Sequence, residues 1–408
     1  MPNETAARIV IVGAGQAGAT LAETLRGEGH HGPITLVGAE PDAPYQRPPL
    51  SKKYLLGEMS AERLALKPAG FWADAGVELR TGTTAAAIDR AERLVRLSDG
   101  RTLPYDRLAL CTGASPRRLP ASLGGDLAGV HVIRTRADVD ALKPAVLPGA
   151  RLVVIGGGYI GLEAAAVAAT LGLSVTLVEA GPRILGRVAA AETADFFRDL
   201  HTRHGVAVIE GCGVTALEGR DGVLAAVRLT DGRILPADLA IVGIGVRPEA
   251  GLAEAAGLGV ENGIRVDAAG RTDDPAIFAV GDVASFPWRG RRIRLESVQN
   301  AIDQARATAR TMLGQTVTYD PVPWFWSDQY DVKLQIAGLN VGHDRVITRP
   351  GTRPGTASTW YFAGERLLAV DAMGDARAYM TAKRWLEAGY SPEPARLTDP
   401  EADLRSLG

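Results

Sequence analysis

The stretch Arg8-Ile9-Val10-Ile11-Val12-Gly13-Ala14-Gly15-Gln16-Ala17-Gly18 has a counterpart in Arg151-Leu152-Val153-Val154-Ile155-Gly156-Gly157-Gly158-Tyr159-Ile160-Gly161. In each, one polar residue leads a continuous β-branched apolar run, the pattern of a parallel strand buried on both faces. The glycines that follow let the strand turn tightly, bring backbone amides up to a pyrophosphate, and allow the next helix to pack close. Ala19 to Arg26 and Leu162 to Leu171 read as those helices, rich in Ala and Leu. A second apolar run then closes on an acid, Ile34-Thr35-Leu36-Val37 leading to Glu40 and Val175-Thr176-Leu177-Val178 leading to Glu179. The spacing is near the roughly 20 residues expected for a carboxylate on a ribose 2′-OH. Glycine turns in an ordinary α/β sheet account for one copy. The whole unit twice predicts two dinucleotides and electron traffic between them.

Composition narrows the class. A chain of 408 residues suggests two or three domains. With 45 basic and 47 acidic residues the net charge is −2, so any charged docking surface must be local and no nucleic acid is expected. No apolar run approaches the ~20 residues of a membrane span, and Met1-Pro2-Asn3-Glu4-Thr5 lacks the basic start of a signal peptide. The expectation is a cytoplasmic protein without a membrane partner. Cys111 and Cys212 stand far apart, which excludes a CxxC redox pair or a thiolate cluster, and both read as buried small residues. No metal site is expected from the six histidines; His201 and His204 read as a surface pair.

The repeat extends beyond the glycines. Arg93 to Leu97 and Thr102-Leu103 flank Asp99-Gly100, and the run Leu224 to Leu235 contains Asp231-Gly232, each a hairpin signal. Leu108-Ala109-Leu110-Cys111 runs into Thr112-Gly113, as Leu239-Ala240-Ile241-Val242 runs into Gly243-Ile244-Gly245, and both ends are placed beside a bound dinucleotide. Ala276-Ile277-Phe278-Ala279-Val280 delivers Gly281-Asp282 to a strand's C-terminal end, the edge where α/β sheets bind ligands. From about residue 320 the chain turns aromatic, with Trp324, Trp326, Tyr330, Trp360 and Tyr361, and reads as a separate mixed α/β domain with Gly351 to Gly355 as an exposed loop.

Taken with the fingerprints, Arg47-Pro48-Pro49-Leu50-Ser51-Lys52, Ala279-Val280-Gly281-Asp282, Glu296-Ser297-Val298-Gln299-Asn300-Ala301 and Pro323-Trp324-Phe325-Trp326-Ser327-Asp328-Gln329 resemble FAD-dependent NADH:ferredoxin reductases, over Arg8 to about Met373. The resemblance implies an α/β protein on the glutathione-reductase-like two-dinucleotide flavoprotein plan. It would have two Rossmann-like domains and a C-terminal mixed α/β domain covering the flavin. Residues 1–112 and 244–319 would form the FAD domain, 113–243 the NAD domain and 320–408 the C-terminal domain. FAD would be held without a covalent bond. Gly13, Ala14, Gly15, Ala17 and Gly18 would cradle its pyrophosphate and Glu40 its adenosine ribose. Arg47, Lys52, Ala85, Thr112, Gly113, Arg134, Gly281, Asp282 and Val298 fall on further flavin contacts, Asp282 on the ribityl chain and the Val298 amide at the pyrimidine end.

The second fingerprint, Gly156, Gly157, Gly158, Tyr159, Ile160 and Gly161, would receive NADH with Glu179 and Gly245. A carboxylate at 179 accepts from a free 2′-OH and repels a 2′-phosphate, so NADH is expected over NADPH. Arg183, four positions on, tempers that preference. Lys52 and Glu163 match the lysine and glutamate that pair near the flavin N5 in the wider superfamily, and a cation there stabilises reduced flavin. Without such a role Lys52 is a solvated loop cation and Glu163 an acid favoured by the helix dipole. Electrons would pass singly to a [2Fe-2S] ferredoxin serving a cytochrome P450 or other oxygenase, with the protein a monomer or weak dimer. Arg306 and Trp326 match positions tied to docking and electron transfer. Arg310, one helical turn from Arg306, and the run Arg289-Gly290-Arg291-Arg292-Ile293-Arg294 add basic candidates.

Competing plans make different demands. Disulfide reductases need a close cysteine pair after the first acid and flavin NADH oxidases one cysteine there, but residues 41–60 hold none. An apoptosis-inducing-factor-like protein that binds nucleic acid needs a strongly basic surface, against a sequence pI of about 6.3.

Overall fold

The computed structural model describes residues 4–399 and 402–407. By internal contacts the chain divides into two compact units, Met1–Gln46 with Ala61–Ser115 and Arg247–Pro321, and Arg47–Ser60 with Pro116–Val246 and Val322–Gly408.

In the first unit a five-stranded parallel sheet has the order Ile277–Ala279, Arg107–Leu110, Ile9–Val12, Ile34–Val37, Val77–Arg80. The fingerprint strand is central: the chain runs outward from it through Ile34–Val37 and Val77–Arg80 and then crosses to Arg107–Leu110 on its other side, which makes its C-terminal end the topological switch point. All four residues of Ile9–Val12 are buried, as their unbroken apolar run requires. Helix Gln16–Gly27 packs with helix Val298–Met312 on the sheet around Leu21, Leu25, Phe278, Ala305 and Met312. An antiparallel meander, Ala85–Asp89, Leu94–Leu97 and Thr102–Pro104, carries the Asp99-Gly100 turn.

The second unit repeats the plan. Its five-stranded parallel sheet runs Ala207–Ile209, Ser174–Val178, Arg151–Ile155, Leu239–Val242, Val130–His131, again with the fingerprint strand central. A meander of Val214–Arg220, Val223–Leu229 and Ile234–Pro236 matches the hairpin around Asp231-Gly232. The same unit holds an antiparallel sheet in the order Trp324–Gln329, Val332–Gly338, Arg366–Met373, Ala357–Ala363, Arg345–Pro350. Helix Ala376–Ala388 covers it through Tyr379, Ala382 and Trp385, with Trp360 and Phe362 fully buried beneath.

Three local expectations are corrected. Both fingerprint helices start earlier than their Ala- and Leu-rich runs suggest, at Gln16 and Tyr159, so Gly18 and Gly161 lie inside them. The absence of side chains at these glycines is what allows the first turn to lie against the preceding backbone. His201 is not on the surface: it is fully buried in helix Ala191–Arg203. The Arg289 to Arg294 run is not a free basic patch either. Arg292 donates to the carbonyls of Val266 and Ser285, while Arg294 donates to that of Asp282 and pairs with Glu296 at 2.6 Å.

Candidate functional site

In the first unit the chain leaves strand Ile9–Val12 through Gly13 at φ +113°, a left-handed conformation that favours glycine. A Cβ there would lie 2.1 Å from the Cys111 carbonyl oxygen, and one on Gly18 would lie 2.0 Å from that of Gly13. Gly15 is different. It caps helix Gln16–Gly27 without a side-chain hydrogen bond, and a Cβ on it would meet nothing within 4 Å. The helix's first amides, which carry the positive end of its dipole, thus face open space at a backbone without side chains. That is the cradle a pyrophosphate needs, and the residues present fit the FAD that the sequence implies.

The other first-unit candidates surround the same sheet edge or its continuation. Ala14 packs against Gly38, and Ala17 against Gly281, whose amide donates 2.8 Å to the buried Gln304. Asp282 lies in the short turn Gly281–Val283, half-buried. Val298 opens its helix behind Ser297, whose Oγ accepts from the Asn300 amide at 3.1 Å. Glu40 accepts from the Tyr45 hydroxyl at 2.5 Å. The Thr112 hydroxyl donates 2.7 Å to the Glu249 carbonyl, and the Gly113 carbonyl accepts from the Glu249 amide at 2.9 Å, which ties down the loop after strand Arg107–Leu110. Ala85 begins the first strand of the meander, which belongs to a separate sheet.

The second unit builds the same turn. Gly156 has φ +108°, and a Cβ on it would lie 2.4 Å from the Gly243 carbonyl oxygen. A Cβ on Gly161 would lie 2.1 Å from that of Gly156, while Gly158 caps helix Tyr159–Thr170 with nothing within 4 Å. Ile160 is exposed at the start of this helix. The Tyr159 ring stands 4.7 Å from that of Phe325, and burial pushes its hydroxyl well above the usual range. Gly245 takes φ +94° beside the Arg187 guanidinium.

Glu179 is held by two backbone amides, Gly157 at 2.7 Å on one oxygen and Gly181 at 2.6 Å on the other. Each oxygen keeps lone-pair capacity for a diol, so the carboxylate is fixed in place yet able to accept from a ribose. Arg183 is half-buried and donates 2.8 Å to the Ala189 carbonyl, directed along its own loop.

Also in this unit, Lys52 Nζ lies 2.6 Å from Glu163 Oε2. Lys52 follows the short helical turn Pro48–Ser51, and Glu163 is buried on helix Tyr159–Thr170. Two serines complete the carboxylate: the Ser51 hydroxyl donates 2.6 Å to Oε2 and the Ser327 hydroxyl 2.7 Å to Oε1. The loop's entry is set by Arg47, which donates 2.7 Å to the Arg134 carbonyl, and its exit by Tyr54, which donates 2.6 Å to Asp140. Lys52 is therefore not a solvated loop cation.

Sequence reasoning missed Ser51 and Ser327 as partners of Glu163, and Gln329 and His201 behind them. One signal was present: Ser327 and Gln329 are two apart on a strand and share a face, next to three large aromatic residues. It also missed Asp371, a carboxyl in the apolar run Leu367 to Met373, which accepts from Thr193 at 2.9 Å and from the Tyr361 hydroxyl.

The docking candidates are dispersed in character. Arg306 is exposed, with Asp303 at 3.9 Å, whereas Arg310 is engaged by Glu28 at 2.9 Å. Trp326 is half-buried, its ring 5.7 Å from that of Trp324. Among the described residues no group of His, Cys, Asp and Glu has the makings of a metal site, and no helix is long and apolar enough to cross a membrane.

The family described as Pyridine nucleotide-disulphide oxidoreductase matches residues 7–305, and the one described as Reductase C-terminal matches residues 324–408. A ferredoxin–NAD(P)(+) reductase of a Sphingomonas species is 46% identical, covering 98% of this chain and 97% of its own. Rhodocoxin reductase of Rhodococcus erythropolis is 44% identical, covering 97% and 93%. Among solved structures, the covalent complex of putidaredoxin reductase with putidaredoxin superposes with a TM-score of 0.95 at 41% identity, covering 98% of each chain.

Proposed function

Since the chain belongs to the pyridine nucleotide-disulphide oxidoreductases and, within them, to the ferredoxin reductases, we propose that it takes a hydride from NADH through non-covalent FAD and passes electrons singly to a [2Fe-2S] ferredoxin. That ferredoxin serves a cytochrome P450 or another oxygenase. The observation that carries the reading is the combination of two open glycine cradles with no usable thiol. Residues 41–60 lack cysteine, both cysteines are buried, and burial pushes the Cys111 thiol up to about 12. The chain has no cysteine pair close enough in sequence to serve as a redox disulfide, which leaves its electrons to go outward.

The assignment of parts follows. Residues 1–112 and 244–319 form the FAD domain, 113–243 the NAD domain and 320–408 the C-terminal domain. Gly13, Ala14, Gly15, Ala17 and Gly18 hold the FAD pyrophosphate on the amide end of their helix, with Glu40 on the adenosine ribose. Arg47, Ala85, Thr112, Gly113, Arg134, Gly281, Asp282 and Val298 complete the flavin contacts. When bound, FAD supplies the conversion between a two-electron donor and a one-electron acceptor. Gly156 to Gly161 and Gly245 seat NADH, and Glu179, pinned by its two amides, selects the 2′-OH. Lys52 supplies fixed positive charge in a place shielded from water, where it is worth more than in solution. Glu163 keeps that ammonium in one position.

Arg306 and Trp326 each serve ferredoxin docking or electron transfer, with a lesser contribution from Arg310, which is engaged by Glu28. The protein works in the cytoplasm as a monomer or weak dimer. The test is an absorbance spectrum of the purified protein, an anaerobic NADH titration, and then addition of [2Fe-2S] ferredoxins. Bleaching of a flavin band by NADH and its return with ferredoxin reduction is expected; absence of a flavin spectrum overturns the proposal.

A further inference from the structure

Behind Glu163, within the second unit, runs a line of buried polar side chains that the functions above do not use. Ser327 Oγ is 2.7 Å from Glu163 Oε1, Gln329 Nε2 is 3.2 Å from Ser327 Oγ, and His201 Nε2 is 2.8 Å from Gln329 Oε1. Tyr330 Oη is 3.3 Å from His201 Nδ1. Ser327, Gln329 and His201 have no exposed surface. At the outer end the His204 ring stacks on that of Tyr330, 3.7 Å between centroids.

Donor counting gives the line a direction. A carboxylate oxygen accepts only, so Ser327 spends its one proton on Glu163 and its lone pair takes the Gln329 N–H. That turns the Gln329 carbonyl toward His201, which must present Nε2–H. A neutral imidazole carries one N–H, and burial pushes His201 down to about 4, so Nδ1 is bare and accepts the Tyr330 hydroxyl proton. Burial also holds the Tyr330 hydroxyl protonated by raising its pKa. Every donor therefore points toward Glu163. Bonds aligned in this way polarise one another, and reversing any one of them would set like groups face to face.

We infer that Ser327, Gln329 and His201 are positioning residues that fix Glu163, and through it the Lys52 ammonium, for the hydride step. The inference rests on the role given to Lys52 and Glu163 above. The physical reason is that Lys52 and Ser51 hold only Oε2, which leaves the carboxylate free to pivot unless Oε1 is also held. Apolar side chains filling the same volume would avoid the desolvation cost of three buried polar groups but would leave that pivot open. The Ser-Asp-Gln part of the aromatic strand motif thereby gains a use: its alternate residues face Glu163 and His201.

The test uses the flavin-loaded protein. Ser327→Ala should slow NADH-dependent flavin reduction about ten- to a hundredfold, the size of loss expected when a charged group is misplaced. The flavin midpoint potential should fall at the same time, with flavin content and NADH affinity retained and the melting temperature lowered only by the cost of the unpaired Gln329 amide. Ser327→Thr, which keeps the hydroxyl, should recover most of the rate. In a Lys52→Ala background Ser327→Ala should add nothing, because a residue acting through Lys52 has nothing left to position. An independent readout is the ¹⁵N spectrum of histidine-labelled protein, in which His201 should carry its proton on Nε2 and lose that hydrogen-bonded signal in Gln329→Leu. Wild-type rate and potential in Ser327→Ala, an equal further loss in the Lys52→Ala background, or an Nδ1–H His201 each overturns the inference. Lys52→Ala alone reports on the underlying reading: if it reduces at the wild-type rate, that reading fails, whatever Ser327→Ala does.

Discussion

Lys52 Nζ and Glu163 Oε2 meet at 2.6 Å although the residues are 111 positions apart in the chain. The pair is largely withdrawn from solvent, with side-chain exposures of 15% and 5%, so it is not one of the surface ion pairs that contribute little. Removing one partner leaves the other buried without its counter-charge. Lys52→Ala and Glu163→Gln are each expected to lower the rate of flavin reduction by NADH by about 100- to 1,000-fold, the range seen when a preorganised electrostatic group is lost. Stopped-flow absorbance decides it, and a wild-type rate in both variants refutes the assignment.

The glycines of each fingerprint have separable duties. Gly15 and Gly158 have ordinary negative φ and open space where a Cβ would lie, whereas at Gly18 and Gly161 a Cβ would run into carbonyl oxygens at 2.0 and 2.1 Å. Gly15→Ala should therefore keep the thermal stability of the flavin-free protein but weaken FAD retention, and Gly158→Ala should raise KM for NADH. Gly18→Ala and Gly161→Ala should lower stability itself, by an amount in the upper range for single substitutions, ~3 kcal/mol or more. Melting curves with and without added FAD separate the two classes.

Glu179 accepts from the Gly157 and Gly181 amides, so its substitution disturbs both nucleotide choice and the glycine turn. NADH should be preferred over NADPH in kcat/KM, and Glu179→Gln should narrow the ratio about tenfold by removing charge while keeping an acceptor. Equal values for the two nucleotides in the wild-type protein would remove the NADH assignment.

Two buried titratable groups in the second unit should tilt stability in opposite directions with pH. Burial raises the Asp371 carboxyl to about 6, so the folded state holds its proton where the unfolded chain has lost it. Its contribution is greatest at low pH and is lost as pH rises from about 4 through about 6. Burial lowers His201 to about 4, so the unfolded chain takes up a proton first, and stability present above about 6.5 is lost as pH falls toward 4. The two slopes oppose each other in the same window. Asp371→Asn should make the protein lose stability more steeply toward acid, and His201→Gln should do the reverse; parallel pH–stability curves for all three proteins would contradict both assignments.

Arg306 is 58% exposed with Asp303 no closer than 3.9 Å, whereas Arg310 is already paired with Glu28 at 2.9 Å. Arg306→Glu should raise KM for the ferredoxin several-fold and flatten its salt dependence, while NADH oxidation by a small dye is unaffected. Arg310→Ala should have the smaller effect. If dye reduction falls in parallel with ferredoxin reduction, Arg306 is not a docking residue.

The sequence by itself determined the two nucleotide folds, because each was written in local terms. An apolar strand, glycines at fixed spacing, a helix and a closing acid depend on backbone conformations and periodicities set within about 30 residues. It also determined, through cysteines it does not contain, that electrons have no disulfide to visit on this chain. Tertiary structure alone decided which partners the marked residues have. Lys52 and Glu163 are joined only because the Pro48–Ser51 turn and helix Tyr159–Thr170 belong to one packed unit. A histidine that looks solvated beside His204 lies buried at 0% exposure against Gln329, and half of the arginines in the run from 289 to 294 turn inward to carbonyls and a carboxylate. The physical reason is the same in each case. A side chain's charge and hydrogen bonds are set by groups that fold against it from remote parts of the chain, and local pattern carries no record of them.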